Sequence, residues 1–211
     1  MINQNAENQT EEKTKIKFNL PQGRLPLTSD YVFKRVFAKD ENNSMLKDFL
    51  EAILDKKINK VVVKNPEIPK NLGDERIGIL DLKLDVDEDK VIDVEMQMRD
   101  EYNMKERSGV YLSKLVAEQL KAKQPYVEVK KVIAINLLNF NLFKRNSYHS
   151  IARMKFEKST EEAFVDIGFD KEEEIATDLF EMHFIELPKF ISKNPECKTK
   201  LEQWLWLFSW E

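Results

Sequence analysis

The sequence predicts an α/β domain in which a mixed sheet is flanked by helices, and three patterns lead to this prediction. Residues 77–98 alternate apolar and polar side chains on either side of an acidic turn, which is typical of two half-buried strands. Residues 131–138 form a continuous apolar run, which is typical of a strand buried on both faces. Residues 45–55 carry apolar side chains at helical spacing, which predicts an amphipathic helix.

The remaining elements follow from caps and breakers. Ser29 or Thr28 can cap a first helix that ends near residue 37, and Ser44 or Asn43 can cap the second. The β-branched run 58–63 predicts a strand, and two prolines end it. Further predicted elements, in chain order, are the hairpin Ile77–Met98, the helix Met104–Lys121, and the strands Lys131–Leu138, Tyr148–Phe156 and Asp178–Leu187. The resulting core order is α-β-β-β-α-β.

Composition limits the class of protein. The 211 residues can bury one good core, so we expect a disordered leader (1–20), one domain (21–192) and an aromatic helix or tail (193–211). Residues 1–20 contain no apolar run, so we expect neither a signal peptide nor a membrane anchor there. No run approaches the ~20 apolar residues of a membrane helix, and a cytoplasmic location is the default. A single cysteine, Cys197, and only two histidines exclude thiolate zinc cages and His-rich metal sites.

Charge is segregated along the chain although the net charge is only −4. Residues 67–101 and 161–186 are strongly acidic, whereas residues 121–158 hold nine basic residues against two acids, so local fields are stronger than the net charge suggests. The basic residues of that segment are Lys121, Lys123, Lys130, Lys131, Lys144, Arg145, Arg153, Lys155 and Lys158. They either follow a phosphate backbone or lie on solvated strand faces.

The hairpin carries the most informative side chains. Asp81 lies in the polar row of one strand, and Glu95 and Gln97 lie in the polar row of the next. A three-residue loop would set Asp81 opposite Gln97, and a five-residue loop would set it opposite Glu95, with Cβ separations of about 4.5–8 Å in either case. Two carboxylates at that spacing can bind one divalent cation. The alternative is an edge hairpin with a solvated charged face, but acids opposite acids are unfavourable without a cation.

These residues resemble the core of the PD-(D/E)xK nucleases, an Asp on one strand and Glu-x-Lys on the next. Glu-x-Gln resembles the variant of the PD-(D/E)xK family transposases, or recombination-promoting nucleases. Six landmarks between Leu25 and Phe190 occur in the order of that branch. They are Leu27–Phe37, Arg76–Asp81, Val94–Gln97, Arg107–Leu115, Gln119 with Tyr126, and His183–Phe190.

The resemblance implies a restriction-endonuclease-like αβββαβ core and a metal-dependent DNA endonuclease, linked to mobile elements or recombination. Hard oxygen donors suit Mg²⁺ or Mn²⁺, so Asp81 and Glu95 are the expected carboxylate ligands. The resemblance adds the backbone carbonyl of Met96 as a ligand. Gln97 can orient a water but lacks the charge of the usual lysine.

A substitute cation or a substrate contact can come from residues near the polar rows. Lys83 and Arg99 share the strand faces of Asp81 and Gln97, while Arg107 and Tyr111 lie four residues apart on one face of the following helix. Lys34, on the first helix together with Asp30, is a candidate phosphate contact. Surface salt bridges are the alternative for all of them. The other strand acids, Asp85 and Asp93, could bind a second ion.

Two alternatives to an active enzyme stay open. The missing lysine is compatible with a catalytically inactive member that acts as a DNA-binding or protein-interaction module. The Trp-rich segment from Leu201 onward either packs on the domain or joins a second copy in a homo-oligomer. His149 and His183 lack partners at ligand spacing and are predicted to be structural.

Overall fold

The computed structural model describes residues 26–39, 43–64, 82–122, 124–155 and 175–209. In these ranges the helices are α1 (Asp30–Phe37), α2 (Asn43–Leu54), α3 (Met104–Gln119), α4 (Leu187–Ser192) and α5 (Lys200–Phe208). The strands are β1 (Val61–Val63), β2 (Leu82–Val86), β3 (Lys90–Gln97), β4 (Lys131–Leu138), β5 (His149–Lys155) and β6 (Ile175–Glu186). Asp81, the predicted leader, Lys123, Lys158 and Trp210 lie outside the described residues.

The six strands form one mixed sheet in the order β1-β2-β3-β4-β6-β5. The β1-β2-β3 meander is antiparallel, β3, β4 and β6 run parallel, and β5 returns antiparallel to β6. Helix α3 connects the parallel strands β3 and β4, as a parallel pair requires a crossover. The predicted α-β-β-β-α-β order and the mixed sheet flanked by helices are confirmed. The apolar run of β4 has neighbours on both sides and is buried from Val132 onward.

The hairpin register corrects the predicted link between loop length and pairing. Leu82 pairs with Val94 and Val86 pairs with Lys90, so the turn between the paired residues has three residues, 87–89. The register predicted for a three-residue loop, Asp81 opposite Gln97, is the one in which Leu82 would pair with Met96, so the predicted link was wrong by two residues. Asp87 takes a left-handed conformation, φ 50°, which closes this short turn.

β1 is shorter than the predicted strand 58–63, and the cause is local. The Asp87 carboxylate accepts hydrogen bonds from the backbone amides of Asn59 and Lys60, at 2.8 and 3.0 Å. These amides therefore bond to a side chain rather than to a neighbouring strand. Ile58 is still buried in the core.

The two faces of the sheet are covered by different helices. One face of β2, β3 and β4 packs against α1, α2 and α5 in the main core, where Phe33, Phe37, Phe49 and Phe208 meet. The other face packs against α3 through Tyr111, Leu112 and Leu115. Residues that oppose one another across the strands share a face, so β3 directs Ile92 and Val94 to the main core and Asp93 and Glu95 toward α3.

The C-terminal aromatic segment forms α5, and part of it packs on the domain. Thr199 caps the helix in a reciprocal capping box with Glu202. Leu205 and Phe208 are buried, whereas Trp206 and Leu207 are exposed. Packing on the domain, one of the two predicted outcomes, therefore accounts for the inner face of α5. None of the described helices is long and apolar enough to cross a membrane.

Candidate active site

Glu95 lies near the C-terminal end of β3 beneath α3. It is buried, with a side chain only 2% exposed, and so is its neighbour Asp93 on the same face. The edge hairpin with a solvated polar face is therefore wrong for β3, because this strand is central and its acids lie under a helix. A carboxylate buried in this way needs a cation or several hydrogen bonds to stay ionised.

Arg107 on α3 supplies that cation. Its Nη2 donates to Glu95 Oε2 at 3.0 Å, and its Nη1 donates to Gln97 Oε1 at 3.3 Å. One guanidinium fork thus joins the two residues of the Glu-x-Gln motif. Gln97 Nε2 also donates to the carbonyl of Arg99 at 3.1 Å, which fixes the orientation of the amide. Glu101 lies at the outer edge of the cluster, 3.9 Å from Arg107.

Tyr111, one turn along α3, forms the wall of the cluster. The Arg107 guanidinium lies over its ring at 5.2 Å from the centroid, a cation–π contact. Burial, and then the negative charge of Glu95, raise the pKa of the Tyr111 hydroxyl, so it is neutral at physiological pH. Arg107 and Tyr111 therefore share one face of α3, as their spacing of four residues predicts.

Asn136 and Ser108 support this arrangement from β4 and α3. Asn136 pairs with Glu95 in the parallel register, and its Oδ1 accepts a hydrogen bond from Ser108 Oγ at 2.9 Å. Its Nδ2 donates to the carbonyl of His183 at 3.0 Å. Sequence reasoning missed both residues. The available signal was a single amide, Asn136, inside the otherwise apolar run of β4.

A comparison with models of known families identifies the family of the chain. The model of the PD-(D/E)XK nuclease family transposases matches residues 27–210. The chain belongs to this family. Comparison with curated proteins and comparison with solved structures gave no match. Membership confirms the restriction-endonuclease-like fold class and carries a nuclease-like function with a nucleic acid as the class of substrate.

Lys83 and Lys34, which were also predicted for the nuclease site, lie away from the cluster of Glu95, Gln97 and Arg107. Lys83 lies opposite Asp93 and forms an ion pair with Glu118 of α3, two positions along the strand from the Glu95 level. Lys34 is buried on α1, and its neighbours Phe33 and Phe37 pack in the main core on the other face of the sheet. Their roles at the site stay predictions, as does that of Asp81.

The oxygen atoms near Glu95 are of the chemical type that binds a hard divalent cation. PD-(D/E)XK nucleases generally use divalent metal ions, and the Glu95 carboxylate, the Met96 carbonyl and the Gln97 amide are oxygen donors of the kind that Mg²⁺ prefers. Within the described ranges no three His, Cys, Asp or Glu side chains are grouped for a metal. Oε2 of Glu95 accepts a hydrogen bond from Arg107, so a cation would either share this carboxylate with the guanidinium or replace it.

A second polar cluster lies on the opposite face, between β4, β5 and β6. His183 Nε2 donates to Glu181 Oε1 at 2.7 Å, and the His149 and His183 rings contact through Nε2 and Nδ1 at 2.9 Å. Since a carboxylate only accepts, His183 Nε2 carries the proton of its contact with Glu181. Burial, and then the neighbouring His183, lower the pKa of His149 from 6.5 to about 4.

Glu181 is the anion of this second cluster. Lys131 and Arg153 each donate to its Oε2, at 2.8 and 2.9 Å. Burial alone would raise the pKa of Glu181, but the hydrogen bonds from His183, Arg153 and Lys131 outweigh it and lower the pKa. Two cations of the predicted basic segment, Lys131 and Arg153, are thus held in ion pairs within the fold.

Proposed function

We propose that the protein is a metal-dependent DNA endonuclease that hydrolyses phosphodiester bonds at the C-terminal end of β3, in a mobile-element or recombination context. The observation that carries the proposal is the meeting of Glu95, Gln97 and Arg107 at one point on the α3-covered face of the sheet. A buried carboxylate beside a guanidinium suits the binding of a cation next to a phosphate oxygen. Family membership supports a nucleic acid as substrate.

Asp81 and Glu95 are the carboxylates that we assign to Mg²⁺ or Mn²⁺, together with the Met96 carbonyl. When bound, the ion supplies an activated water and neutralises charge at the scissile phosphate. The pairing of Leu82 with Val94 supports this assignment, because Asp81 directly precedes Leu82 and Glu95 directly follows Val94. An antiparallel ladder that continued in this register would bring them to the next paired position.

Arg107 provides, in this proposal, the positive charge that Gln97 lacks. Its guanidinium is charged at any physiological pH and already touches both residues of the motif. Lys83 is engaged with Glu118, and Arg99 is exposed, so they are weaker candidates for the same role. With the cation held by Glu95, Arg107 would donate to a phosphate oxygen and Gln97 would orient the attacking water through its amide.

A catalytically inactive DNA-binding or protein-interaction module is the second candidate. The ion pair between Arg107 and Glu95 favours it, because a permanently bound guanidinium already compensates the charge of Glu95 and so removes the electrostatic gain of binding a metal there. In that case Arg107 has a purely structural role, and loss of either partner affects stability alone.

Nicking of supercoiled plasmid in Mg²⁺ or Mn²⁺ distinguishes the two candidates. We expect Glu95→Gln and Asp81→Asn to lower the single-turnover rate by about 10²–10³-fold, the usual cost of losing a charged group at a reacting centre. Asp89→Asn is the control, because Asp89 lies in the exposed hairpin turn and pairs with Lys90, and it should cut like the wild type. Equal rates in wild type and Glu95→Gln would refute the nuclease proposal.

A charge-rescue experiment tests the role of Arg107. We expect Arg107→Gln to lose most of the activity, and Gln97→Lys in the same chain to restore part of it, because the lysine returns a cation beside Glu95. Circular dichroism of each variant separates loss of function from loss of fold. A folded Arg107→Gln protein with wild-type activity, or a double variant no better than the single one, would contradict the assigned role.

A further inference from the structure

The loop between β4 and β5, residues 139–148, begins beside the Glu-x-Gln motif. Leu138 pairs with Gln97 in the parallel register, and the Asn139 amide donates to the Gln97 carbonyl at 3.0 Å. The loop therefore leaves the sheet at the end where Arg107 meets Glu95. We refer to residues 139–148 as the basic loop, because it carries Lys144 and Arg145, both exposed.

A buried ion pair fixes the backbone of the basic loop. Glu186, with a side chain 0% exposed, accepts at Oε1 the amides of Leu142 and Phe143, at 2.6 and 3.0 Å, and the Lys189 ammonium at 2.7 Å. Lys189 also donates to the Phe143 carbonyl at 2.6 Å. Three backbone groups of the loop thus bond to one buried pair, which satisfies groups that would otherwise cost energy to bury.

Phe143 positions basic side chains at the surface of the basic loop. Phe143 packs edge-on against Phe184 of β6 at 5.3 Å between ring centroids. The Arg145 guanidinium and the Lys105 ammonium of α3 lie 5.2 and 5.4 Å from the Phe143 ring centroid. Both side chains are exposed, so the ring holds two cations at the surface rather than in the core.

We infer that the basic loop, together with Lys105, binds the phosphate backbone of DNA next to the Glu95 site; this inference rests on the proposed function. The backbone of the basic loop is already fixed in the fold, so the loop loses little conformational entropy when its cations bind the phosphates of DNA. The structure also refines the predicted basic segment, since Lys131 and Arg153 are paired with Glu181 on the other face of the sheet. Lys144 and Arg145 are the part of it that borders the site.

Salt-dependent DNA binding tests the inference. The variant is Lys144→Ala with Arg145→Ala, and the control is Lys121→Ala with Lys130→Ala, which removes the same charge at the opposite end of β4. Affinity for a fluorescein-labelled duplex of about 20 base pairs is measured by anisotropy in EDTA from about 50 to 200 mM salt. We expect the slope of log K against log salt to become less steep by about 1–2 in the loop variant and to be unchanged in the control.

Three results would overturn the inference: no binding by the wild type, an unchanged slope in the loop variant, or an equal loss in both double variants. Melting temperatures check that the variants fold, and exposed side chains should leave them within a few degrees of the wild type. Because the assay contains no metal, it is independent of cleavage. Loop-dependent binding without nicking in Mg²⁺ refutes only the nuclease proposal, and nicking without a loop effect refutes only the inference.

Discussion

The contact between half-buried His149 and buried His183 predicts a loss of stability in mild acid. The pKa of His149 is lowered in the fold from 6.5 to about 4, so between these values the unfolded chain binds a proton that the folded protein does not. Stability therefore falls as pH decreases through this window, the opposite of a histidine that gains a carboxylate partner. His183 stands between His149 and Glu181, so the ring of His149 lacks direct stabilisation by the anion.

The magnitude follows from the two pKa values. At about pH 5 nearly all unfolded chains carry the proton on His149 and few folded ones do. At about pH 7 most chains in either state lack it, which gives about 1–2 kcal/mol of lost stability between these conditions.

Urea denaturation at the two pH values measures this loss, and a variant isolates His149. His149→Gln keeps a side chain that can donate to His183 but cannot titrate. We expect the free energy of unfolding to drop by about 1–2 kcal/mol more in the wild type than in the variant. Equal drops in the free energy of unfolding for the two proteins would refute the description of His149 as a half-buried ring that stays neutral in the fold.

Three further predictions concern the core and the site. Phe208→Ala should lower the free energy of unfolding by about 3–5 kcal/mol, because Phe208 is buried among aromatic rings. Trp206 is exposed, so Trp206→Ala should change it by less than about 0.5 kcal/mol. Similar losses for the two variants in denaturant titrations would contradict the packing of α5. Asn136→Leu should cost about 1–3 kcal/mol by removing the partner of Ser108 and of the His183 carbonyl, and a variant as stable as the wild type would show that this network is dispensable. Mg²⁺ at about ten times its dissociation constant should stabilise the wild type by about 1.4 kcal/mol and leave Glu95→Gln unchanged, and calorimetric scans that show equal shifts would place the ion elsewhere.

The sequence predicted those parts of the fold that local patterns determine. β4 has the predicted bounds, α3 begins at the predicted Met104, and Ser29 caps α1 with its hydroxyl on the Val32 amide. Period-two alternation also assigned the polar row of β3 to one face. Each of these depends on residues close in the chain, where spacing and side-chain chemistry are sufficient.

Contacts between distant segments were not predictable in the same way. That α3 covers the polar row of β3, and so buries Asp93 and Glu95, depends on how a helix crosses the sheet rather than on either segment alone. The pairing of His149 with His183 depends on the register of β5 and β6, which are joined by a long connection. The Arg107 contact to Glu95 and Gln97 could be named as an option from its helix face, but selecting it from Lys83 and Arg99 required the geometry.

The position of α5 also constrains how the protein is made. Trp204 and Phe208 close a cluster whose other rings, Phe33, Phe37 and Phe49, belong to α1 and α2 and are translated first. Those helices leave the ribosome long before the helix that shields them, so their apolar surface is open to chaperones and to other nascent chains during synthesis. Substitutions on the inner face of α5 should accordingly reduce the yield of folded protein in cells more than its equilibrium stability alone would indicate.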